Sequence, residues 1–201
     1  ADNMIKAGYD EMTHINQLML GWLLAPDEDT RTPLRLTGMA RGAELDLDSE
    51  KVRTTISLMK ENNVGIDPTS VILERLMLSR AGATAPGDMD YLDHMPIGYQ
   101  RYRKRTFVTL EDDAADRAYV EGFRKTLETL KLLYDAGVRI LPGTDDGTGF
   151  TVHRELELYQ NVGMTAPEIL AWATYGMADY VGQSEQLGSI EEGKFADFFL
   201  I

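Results

Sequence analysis

The stretch Ala136-Gly-Val-Arg-Ile-Leu-Pro-Gly-Thr-Asp145-Asp-Gly147 decides the fold class that this sequence predicts. Gly137 is typical of a helix end, and the apolar run from Val138 to Leu141 predicts a short buried strand. Asp145 then falls at the C-terminal end of that strand, where α/β barrels carry their active sites. Because a carboxylate is costly to desolvate, it needs a metal ion, a base or hydrogen-bond donors there. A structural cap for the following loop is the alternative interpretation.

The composition is that of a globular protein with an acidic surface. The chain has 201 residues, 43% of them hydrophobic, which is enough for one domain with a substantial core. A formal charge of −13 disfavours binding to nucleic acid. No apolar run of about 18 residues predicts a membrane span, and no leader peptide is visible. The lack of cysteine excludes disulfides and thiolate ligands but does not identify the compartment. We favour the cytoplasm, and a signal peptide upstream of Ala1 is compatible with the sequence.

The order of the predicted elements is that of a parallel βα array. Short strands are predicted near residues 9–15, 64–66 and 138–141. Long connections, residues 16–47 and 69–108, follow the first two strands and precede the helices that begin at Ser49 and after Thr109, and a further helix follows the third strand. A closed barrel needs eight such units. The sequence therefore predicts an α/β fold, namely a partial (β/α)8 TIM barrel of which three βα units are present; the resemblance given below implies that they are the last three.

The end of the chain departs from this order. Residues 187–190 and 197–201 predict two strands joined by a Glu-Glu-Gly turn, which indicates the C-terminal strands of a small β domain. We therefore assign residues 1–182 to the C-terminal part of the barrel and residues 183–201 to part of the small β domain. The first residues resemble the last turn of a helix, and the last ones an apolar strand, so we expect a portion of a longer protein.

Helix starts are predicted from capping patterns. Ser49 precedes a helix with apolar residues at helical spacing. Thr165 and Glu168 have the spacing of a capping box, and Thr109 and Asp112 have the same spacing with aspartate in place of glutamate.

Two side chains are predicted to meet at the strand ends. His14 closes the first predicted strand as Asp145 closes the third, and imidazole and carboxylate are natural ligands of zinc or a similar divalent ion. A hydrogen-bonded barrel histidine is the alternative for His14. His153 follows in the next helix, close enough to contact a substrate, although a surface histidine is the alternative there. His94 lies in a loop without a recognisable partner.

Other polar residues near the strand ends have structural interpretations. Asp146 points away from Asp145 on an extended chain, which favours a cap of the next turn over a carboxylate pair. Gly143, Gly147 and Gly149 are weakly indicative of a phosphate cradle, since they match no dinucleotide or P-loop pattern.

The arginines have similar alternatives. Arg31 and Arg35 are candidates for binding a substrate carboxylate, or they pair with the acidic run at residues 27–29. The basic run at residues 101–105 is interpreted as a solvated loop.

Four stretches of the chain resemble the amidohydrolase superfamily. Among its members, the chain is most similar to the imidazolonepropionase-like and Xaa-Pro dipeptidase-like branch. The similarity covers the chain in the order of elements and is specific from residue 136 onward. The stretches are Ala136-Gly-Val-Arg-Ile-Leu-Pro-Gly-Thr-Asp145, His153-Arg-Glu-Leu-Glu-Leu158, Gly163-Met-Thr-Ala-Pro-Glu168 and Leu187-Gly-Ser-Ile-Glu-Glu-Gly-Lys-Phe-Ala-Asp197.

The resemblance implies a metal-dependent hydrolase that cleaves an amide or another C–N bond in a small or peptide-like substrate, with zinc as the first candidate metal. It implies that residues 7–14 form the sixth barrel strand, with His14 as a metal ligand, and that residues 64–66 form the seventh. Asp145 matches the eighth-strand aspartate, which contacts the metal and carries a proton from the attacking water to the leaving amine.

Part of the family pattern is absent. The sequence has three histidines and no His-x-His, and it lacks the bridging lysine or glutamate and the further histidine of the earlier strands. Because His14 and Asp145 alone hold a catalytic ion poorly, we expect a parent enzyme to hydrolyse amides. We expect this chain by itself to bind metal weakly without turnover.

Two other functions are compatible with the sequence. The first is a non-catalytic barrel portion that associates with another chain, for example as a homo-oligomer. The second is a sugar-phosphate enzyme that uses the glycine-rich loop. Neither nucleic acid nor a membrane is an expected partner.

Overall fold

The computed structural model describes residues 1–198, and this part of the chain is predominantly helical. The strands are β1, Glu11–Thr13, and β2, Gly65–Asp67. The α-helices, α1 to α10 in order, are Asp2–Lys6, Ile15–Leu23, Leu34–Thr37, Glu50–Glu61, Ser70–Leu78, Ile97–Arg103, Asp113–Asp135, Phe150–Asn161, Ala166–Ala171 and Met177–Tyr180. Short 3₁₀ segments are Gly38–Glu44, Pro86–Asp88 and Leu92–His94, and Trp172–Gly176 is π-helical. Across residues 1–198, no helix combines the length and the apolar character needed to cross a membrane.

A small parallel sheet joins three parts of the chain. β1 pairs in parallel with β2, so that Met12 lies opposite Ile66. On the other side, Ile66 forms a parallel bridge to Ile140: the N–H of Ile66 donates to the carbonyl of Arg139 at 2.9 Å, and the N–H of Leu141 donates to the carbonyl of Ile66 at 2.8 Å. The three segments therefore run in the order β1, β2, residues 139–141.

The third predicted strand is reduced to this single bridge. Gly137, with φ at 78°, ends the preceding helix, and Pro142 has no N–H with which to extend the ladder. Only four residues remain between them. Each of the three parallel segments is nevertheless followed by a helix, namely α2, α5 and α8. The mixed α/β order is confirmed in this coarse form, but α2 and α5 occupy parts of residues 16–47 and 69–108, which the sequence predicts to be long connections. The C-terminal ends of the segments share one edge.

The core forms between the sheet and the apolar faces of the helices. Val52 and Met59 of α4 are fully buried, and Phe123 and Leu130 of α7 are buried with them. Ile66 at the centre of the sheet is also inaccessible to solvent. Burial of one such side chain contributes roughly 1.5–3 kcal/mol.

The longest helix, α7, packs closely against the 3₁₀ segment Gly38–Glu44. A Cβ at Gly122 would overlap the carbonyl of Met39, and a Cβ at Gly42 would overlap the backbone of Gly122. Glycine at both positions permits this close approach of two backbones.

Two of the predicted helix caps are present. Ser49 Oγ accepts a hydrogen bond from the N–H of Val52 at 3.4 Å. The capping box at Thr165 is confirmed, since its N–H donates to Glu168 Oε2 at 2.8 Å. These local signals set the starts of α4 and α9.

The predicted capping box at Thr109 is wrong. Asp112 is the N-cap of α7, and its Oδ1 accepts the N–H of Ala115 at 2.8 Å. Aspartate is a stronger N-cap than threonine, and its negative charge interacts favourably with the helix dipole. The helix therefore begins three residues later than the pattern predicted.

The C-terminal strands are not present in the described part of the chain. Residues 187–189 form a bend and Ile190 has no regular structure, because Gly188 has φ at 88° and interrupts any extended run. Asp197 and Phe198 have no strand structure, and the remainder of the predicted strand at 197–201 lies outside the described residues. The division between residues 1–182 and 183–201 stays a prediction.

Candidate active site

Three residues with positive φ follow the ends of the three parallel segments. His14 has φ at 66°, Thr69 at 46° and Asp145 at 47°. Conformations of this kind cost roughly 1–3 kcal/mol each, and a β-branched residue such as Thr69 rarely adopts them. Their concentration at one edge of the sheet marks it as the candidate site.

The imidazole of His14 and the carboxylate of Asp145 face each other at this edge. Nε2 of His14 lies 4.0 Å from Oδ2 of Asp145, and Nδ1 of His14 lies 2.9 Å from Oγ1 of Thr69. The first distance is too long for a hydrogen bond. It is also longer than the roughly 3.4 Å expected between two ligand atoms of one tetrahedral zinc ion, so the two side chains would have to approach each other by about half an ångström to share an ion. The side chain of His14 is 26% exposed and that of Asp145 is 61% exposed, so solvent and a ligand can reach both.

A second carboxylate lies at the end of β2. Oδ1 of Asp67 is buried and has no hydrogen-bond partner among the described residues. Burial raises the pKa of Asp67 to about 6, the negative charges of Glu11 and Asp145 act in the same direction, and the backbone amide of Thr69 acts in the opposite one. The site therefore holds an acid whose proton equilibrium lies closer to neutrality than that of an ordinary aspartate.

Gly143 packs directly against the carboxylate of Asp67, and a Cβ at this position would overlap it. The glycine allows the loop after Leu141 to approach the end of β2. A carboxylate beside Gly143 repels anions, which disfavours the interpretation of the glycine-rich loop as a phosphate cradle.

A buried cluster of ion pairs holds the loop that carries Asp145. Arg75 of α5 lies 2.9 Å from Oδ2 of Asp146, and Arg103 of α6 pairs with the same oxygen and with Asp88. The side chain of Arg103 is 3% exposed and that of Asp146 is 4% exposed. Burial acts to lower the pKa of Arg103, but hydrogen bonds to Asp88 and Asp146 outweigh it and raise the pKa.

These contacts correct one prediction and limit another. The basic run at residues 101–105 is not wholly a solvated loop, because Arg103 is buried and forms ion pairs with Asp88 and Asp146. Oδ1 of Asp146 accepts the N–H of the adjacent Gly147 at 2.8 Å, but no side chain caps α8, so the capping role predicted for Asp146 is reduced to this contact. Its second oxygen binds the arginines, which no local pattern indicated.

A third carboxylate lies beneath the site. Glu155 of α8 is 1% exposed and accepts hydrogen bonds from the N–H groups of Ser70, at 3.0 Å, and Val71, at 2.6 Å. Burial raises the pKa of Glu155 to about 7, although these two amides act to lower it. Burial likewise raises the pKa of Tyr159, with the charge of Glu155 acting in the same direction.

Within residues 1–198, no hydrogen bond or ion pair joins His153 or Arg31 to the His14–Asp145 pair. His153 is exposed, on the face of α8 opposite to the buried Glu155 and Leu158, and its role as a substrate-binding residue stays a prediction. Arg31 pairs with Asp29 at 2.7 Å on the surface, as the structural alternative proposed.

The donor set fits part of a metal site. His14 and Asp145 supply a nitrogen and an oxygen 4.0 Å apart, and Thr69 contacts the second ring nitrogen, as outer partners of metal-binding histidines do. Among residues 1–198, however, no group of three or more histidine, aspartate and glutamate side chains is arranged to hold an ion. Two donors are fewer than the three or more protein ligands that catalytic zinc sites use.

Sequence reasoning missed Asp67, Thr69 and Glu155. Asp67 could have been predicted from the sequence, because it ends the second strand just as His14 and Asp145 follow the other two. No local pattern indicates Thr69 or Glu155, since their partners lie 55 to 85 residues away.

Comparison with known proteins completes the description. A crystal structure of a Xaa-Pro dipeptidase with methionine bound in its active site matches 96% of this chain with a TM-score of 0.53 and 22% identity. At that identity the match shows the fold, and the chain spans only 34% of the dipeptidase. Curated protein sequences gave no significant match. The model of the Amidohydrolase family matches residues 13–201, from the end of β1 through the strand-end loops to the C-terminus, and this chain therefore belongs to the amidohydrolase family.

Proposed function

We propose that this chain is the later portion of a metal-dependent hydrolase that cleaves amide or other C–N bonds on a (β/α)8 barrel. The observation that carries the proposal is the separation of 4.0 Å between His14 Nε2 and Asp145 Oδ2 at the strand ends of an amidohydrolase chain. The similarity in fold to a Xaa-Pro dipeptidase supports a peptide-like or other small substrate.

His14 and Asp145 would hold a divalent ion, with zinc as the first candidate because a neutral imidazole and a carboxylate suit it. Such an ion supplies Lewis acidity that makes water nucleophilic near neutral pH. Thr69 orients the imidazole, and the cluster of Arg75, Arg103 and Asp146 fixes the loop beside Asp145.

The carboxylate of Asp145 moves the proton in this proposal. A water oxygen adds to the carbonyl carbon of the substrate, and Asp145 accepts the proton that the water loses. The same proton then passes to the leaving nitrogen as the C–N bond breaks, which yields a carboxylic acid and an amine. The exposed side chain of Asp145 is accessible to substrate, and His153 would contact the substrate from α8.

Calorimetric titration with zinc tests the metal pair. We expect the chain to bind zinc more weakly than micromolar and to hydrolyse no dipeptide by itself, because two ligands are fewer than catalytic sites use. His14→Gln and Asp145→Asn should abolish the binding, whereas His94→Gln, a change at an exposed histidine, should leave it intact. Zinc binding that survives His14→Gln, or sub-micromolar binding by the unchanged chain, contradicts the proposal.

A second candidate function is association with another chain, and the open side of β1 favours it. The N–H of Gly65 donates to the carbonyl of Asp10, and the N–H of His14 donates to the carbonyl of Asp67. The backbone groups of residues 10 and 14 therefore face β2. The backbone of Glu11 and Thr13 consequently faces the other side, where no strand of residues 1–198 pairs with β1.

A groove of about 830 Å³ borders this strand, and apolar side chains contribute much of its lining. An unpaired strand beside such a groove is a template for another chain, including a second copy of this one. Light scattering distinguishes a monomer from an assembly. A lysine at the exposed Thr13 should shift any assembly toward monomer, and an assembly unaffected by Thr13→Lys would exclude this edge.

A further inference from the structure

Glu155 reaches the candidate site through the start of α5. Its carboxylate, 1% exposed, accepts the N–H groups of Ser70 and Val71, which are among the first amides of that helix and have no partner within it. A negative charge here also interacts favourably with the helix dipole. Glu155 therefore acts as a cap supplied from α8, more than 80 residues away in sequence.

This remote cap replaces a local one. The residue before α5 is Thr69, and its hydroxyl makes no capping hydrogen bond to its own helix. Thr69 instead has a left-handed conformation, with φ and ψ both at 46°, and is 1% exposed. Because a β-branched residue is strained in that region, the surrounding contacts must maintain it. The two hydrogen bonds to Glu155 fix the residues that immediately follow.

The hydroxyl of Thr69 is thereby directed at the site. Oγ1 lies 2.9 Å from Nδ1 of His14, and this contact leaves Nε2 facing Asp145. Because the carboxylate of Asp145 faces Nε2, the tautomer with its proton on Nε2 is favoured, and Nδ1 then accepts a hydrogen bond from the hydroxyl of Thr69. This hydrogen bond stabilises that tautomer and fixes the plane of the ring.

We propose that Glu155 and Thr69 are positioning residues that act in series: Glu155 holds the start of α5, and Thr69, held there in a strained conformation, sets the orientation and tautomer of His14. The value of that orientation for metal binding rests on the proposed function. The orientation itself does not, so it can be measured in the chain without metal.

Nitrogen NMR of the imidazoles at a pH where all three are neutral reports their tautomers. The chain has three histidines, and His94 and His153 are exposed, so they serve as internal references. We expect His14 to populate predominantly one tautomer. Thr69→Val, which removes only the hydroxyl function, should move the tautomer ratio of His14 toward that of the references, and Thr69→Ser should restore it.

Glu155→Gln tests the first step of the series. The oxygen of the glutamine amide accepts from one backbone N–H, but its NH2 group is a donor and cannot accept from the other. Hydrogen exchange at Ser70 and Val71 should therefore accelerate by about tenfold or more. The tautomer ratio of His14 should shift in the same direction as in Thr69→Val. Thr126→Val is the matched control, because Thr126 is fully buried in α7 and donates to the carbonyl of Gly122 far from this series in sequence. It should change neither measurement.

A tautomer ratio that is unchanged in Thr69→Val, or a His14 that already matches the references, would overturn the proposal. Faster exchange in Glu155→Gln without any change at His14 would reduce Glu155 to a structural cap and overturn the series. If Thr69→Val does not fold, Thr69→Ser and Glu155→Gln still decide the outcome.

Zinc titration of the same variants separates this proposal from the proposed function. Loss of an outer partner costs about 10–100-fold in metal affinity, so half-saturation of His14 should need at least about tenfold more zinc in Thr69→Val. If zinc fails to perturb His14 even in the unchanged chain, the metal function fails, while the tautomer measurements still stand or fall by themselves.

Discussion

Arg103 forms a buried ion pair with Asp146, the residue next to Asp145, and so ties α6 to the loop that carries the candidate site. Arg75 binds the same carboxylate from α5, and Asp88 binds Arg103 from the other side. Two helices from the segment after β2 are thereby anchored at the end of the third parallel segment. The chain maintains the position of the site loop through these contacts in place of a full strand at residues 138–141.

Replacement of Arg103 by methionine should destabilise the chain by about 3–5 kcal/mol, because it leaves Asp88 buried without a cation and Asp146 with Arg75 alone. Urea unfolding measures the loss. Arg101→Met, a change at an exposed position on the same helix, should alter stability by less than about 0.5 kcal/mol. Equal effects of the two substitutions would show that the Arg103 pair does not stabilise the fold.

Alanine at Gly143 should destabilise the chain by about 1–3 kcal/mol, because the added methyl group overlaps the carboxylate of Asp67. Asp67→Ala removes the overlapping group, so a double-mutant cycle should show a favourable coupling between the two changes. Gly147→Ala is the control, since its surroundings are open. Strictly additive effects at Gly143 and Asp67 would contradict the contact.

The stability contribution of Glu155 should depend on pH. Burial raises its pKa from 4.5 to about 7 in the folded chain, so between these values the folded state retains a proton that the unfolded state has lost. The contribution is therefore fully present below pH 4.5 and is lost as the pH rises through about 7. At about 1.4 kcal/mol per pKa unit, the difference between the two values corresponds to about 3 kcal/mol.

Glu155→Gln removes this titration. The free energy of unfolding of the variant should rise relative to that of the unchanged chain by up to about 3 kcal/mol between pH 4.5 and pH 8. Urea unfolding at the two ends of this range measures the difference. A constant difference between the two proteins would show that Glu155 titrates alike in the folded and unfolded states.

Substitution at the start of α7 should identify its cap. Asp112→Ala removes the acceptor for the N–H of Ala115 and should cost about 1 kcal/mol of stability. Thr109→Ala, three residues earlier, should change stability by less than about 0.5 kcal/mol. The opposite order of effects would restore the capping box that the spacing predicted.

Patterns within a few residues predicted much of the fold. Ser49 and Thr165 mark the starts of α4 and α9, and Gly8, Gly137 and Gly182 follow the ends of helices with positive φ. These signals depend on hydrogen bonds and conformational preferences that act over one helical turn, so a sequence displays them directly. Where two acceptors compete within such a distance, as Thr109 and Asp112 do, spacing alone selected the wrong one.

The sequence predicts the candidate site only as far as it predicts where the parallel strands end. The positions of His14 and Asp145 after two apolar runs indicated a shared edge, and the structure places their side chains 4.0 Å apart. The same reasoning would have included Asp67. Which of these groups are desolvated, and therefore which pKa values rise, depends on packing that no local pattern records.

The amino-acid sequence by itself determined the family of this chain, the order of its strands and helices, and the types of donor at the strand ends. Only the tertiary structure decided the partners: Glu155 with the start of α5, Arg103 with Asp146, and Thr69 with His14. Capping and turn signals depend on backbone groups within a few residues. The partner of a buried polar side chain depends instead on which distant residue the fold places beside it. These partners lie between 43 and 85 residues apart in sequence. Because burial removes water as an alternative hydrogen-bond partner, breaking any of these contacts is costly.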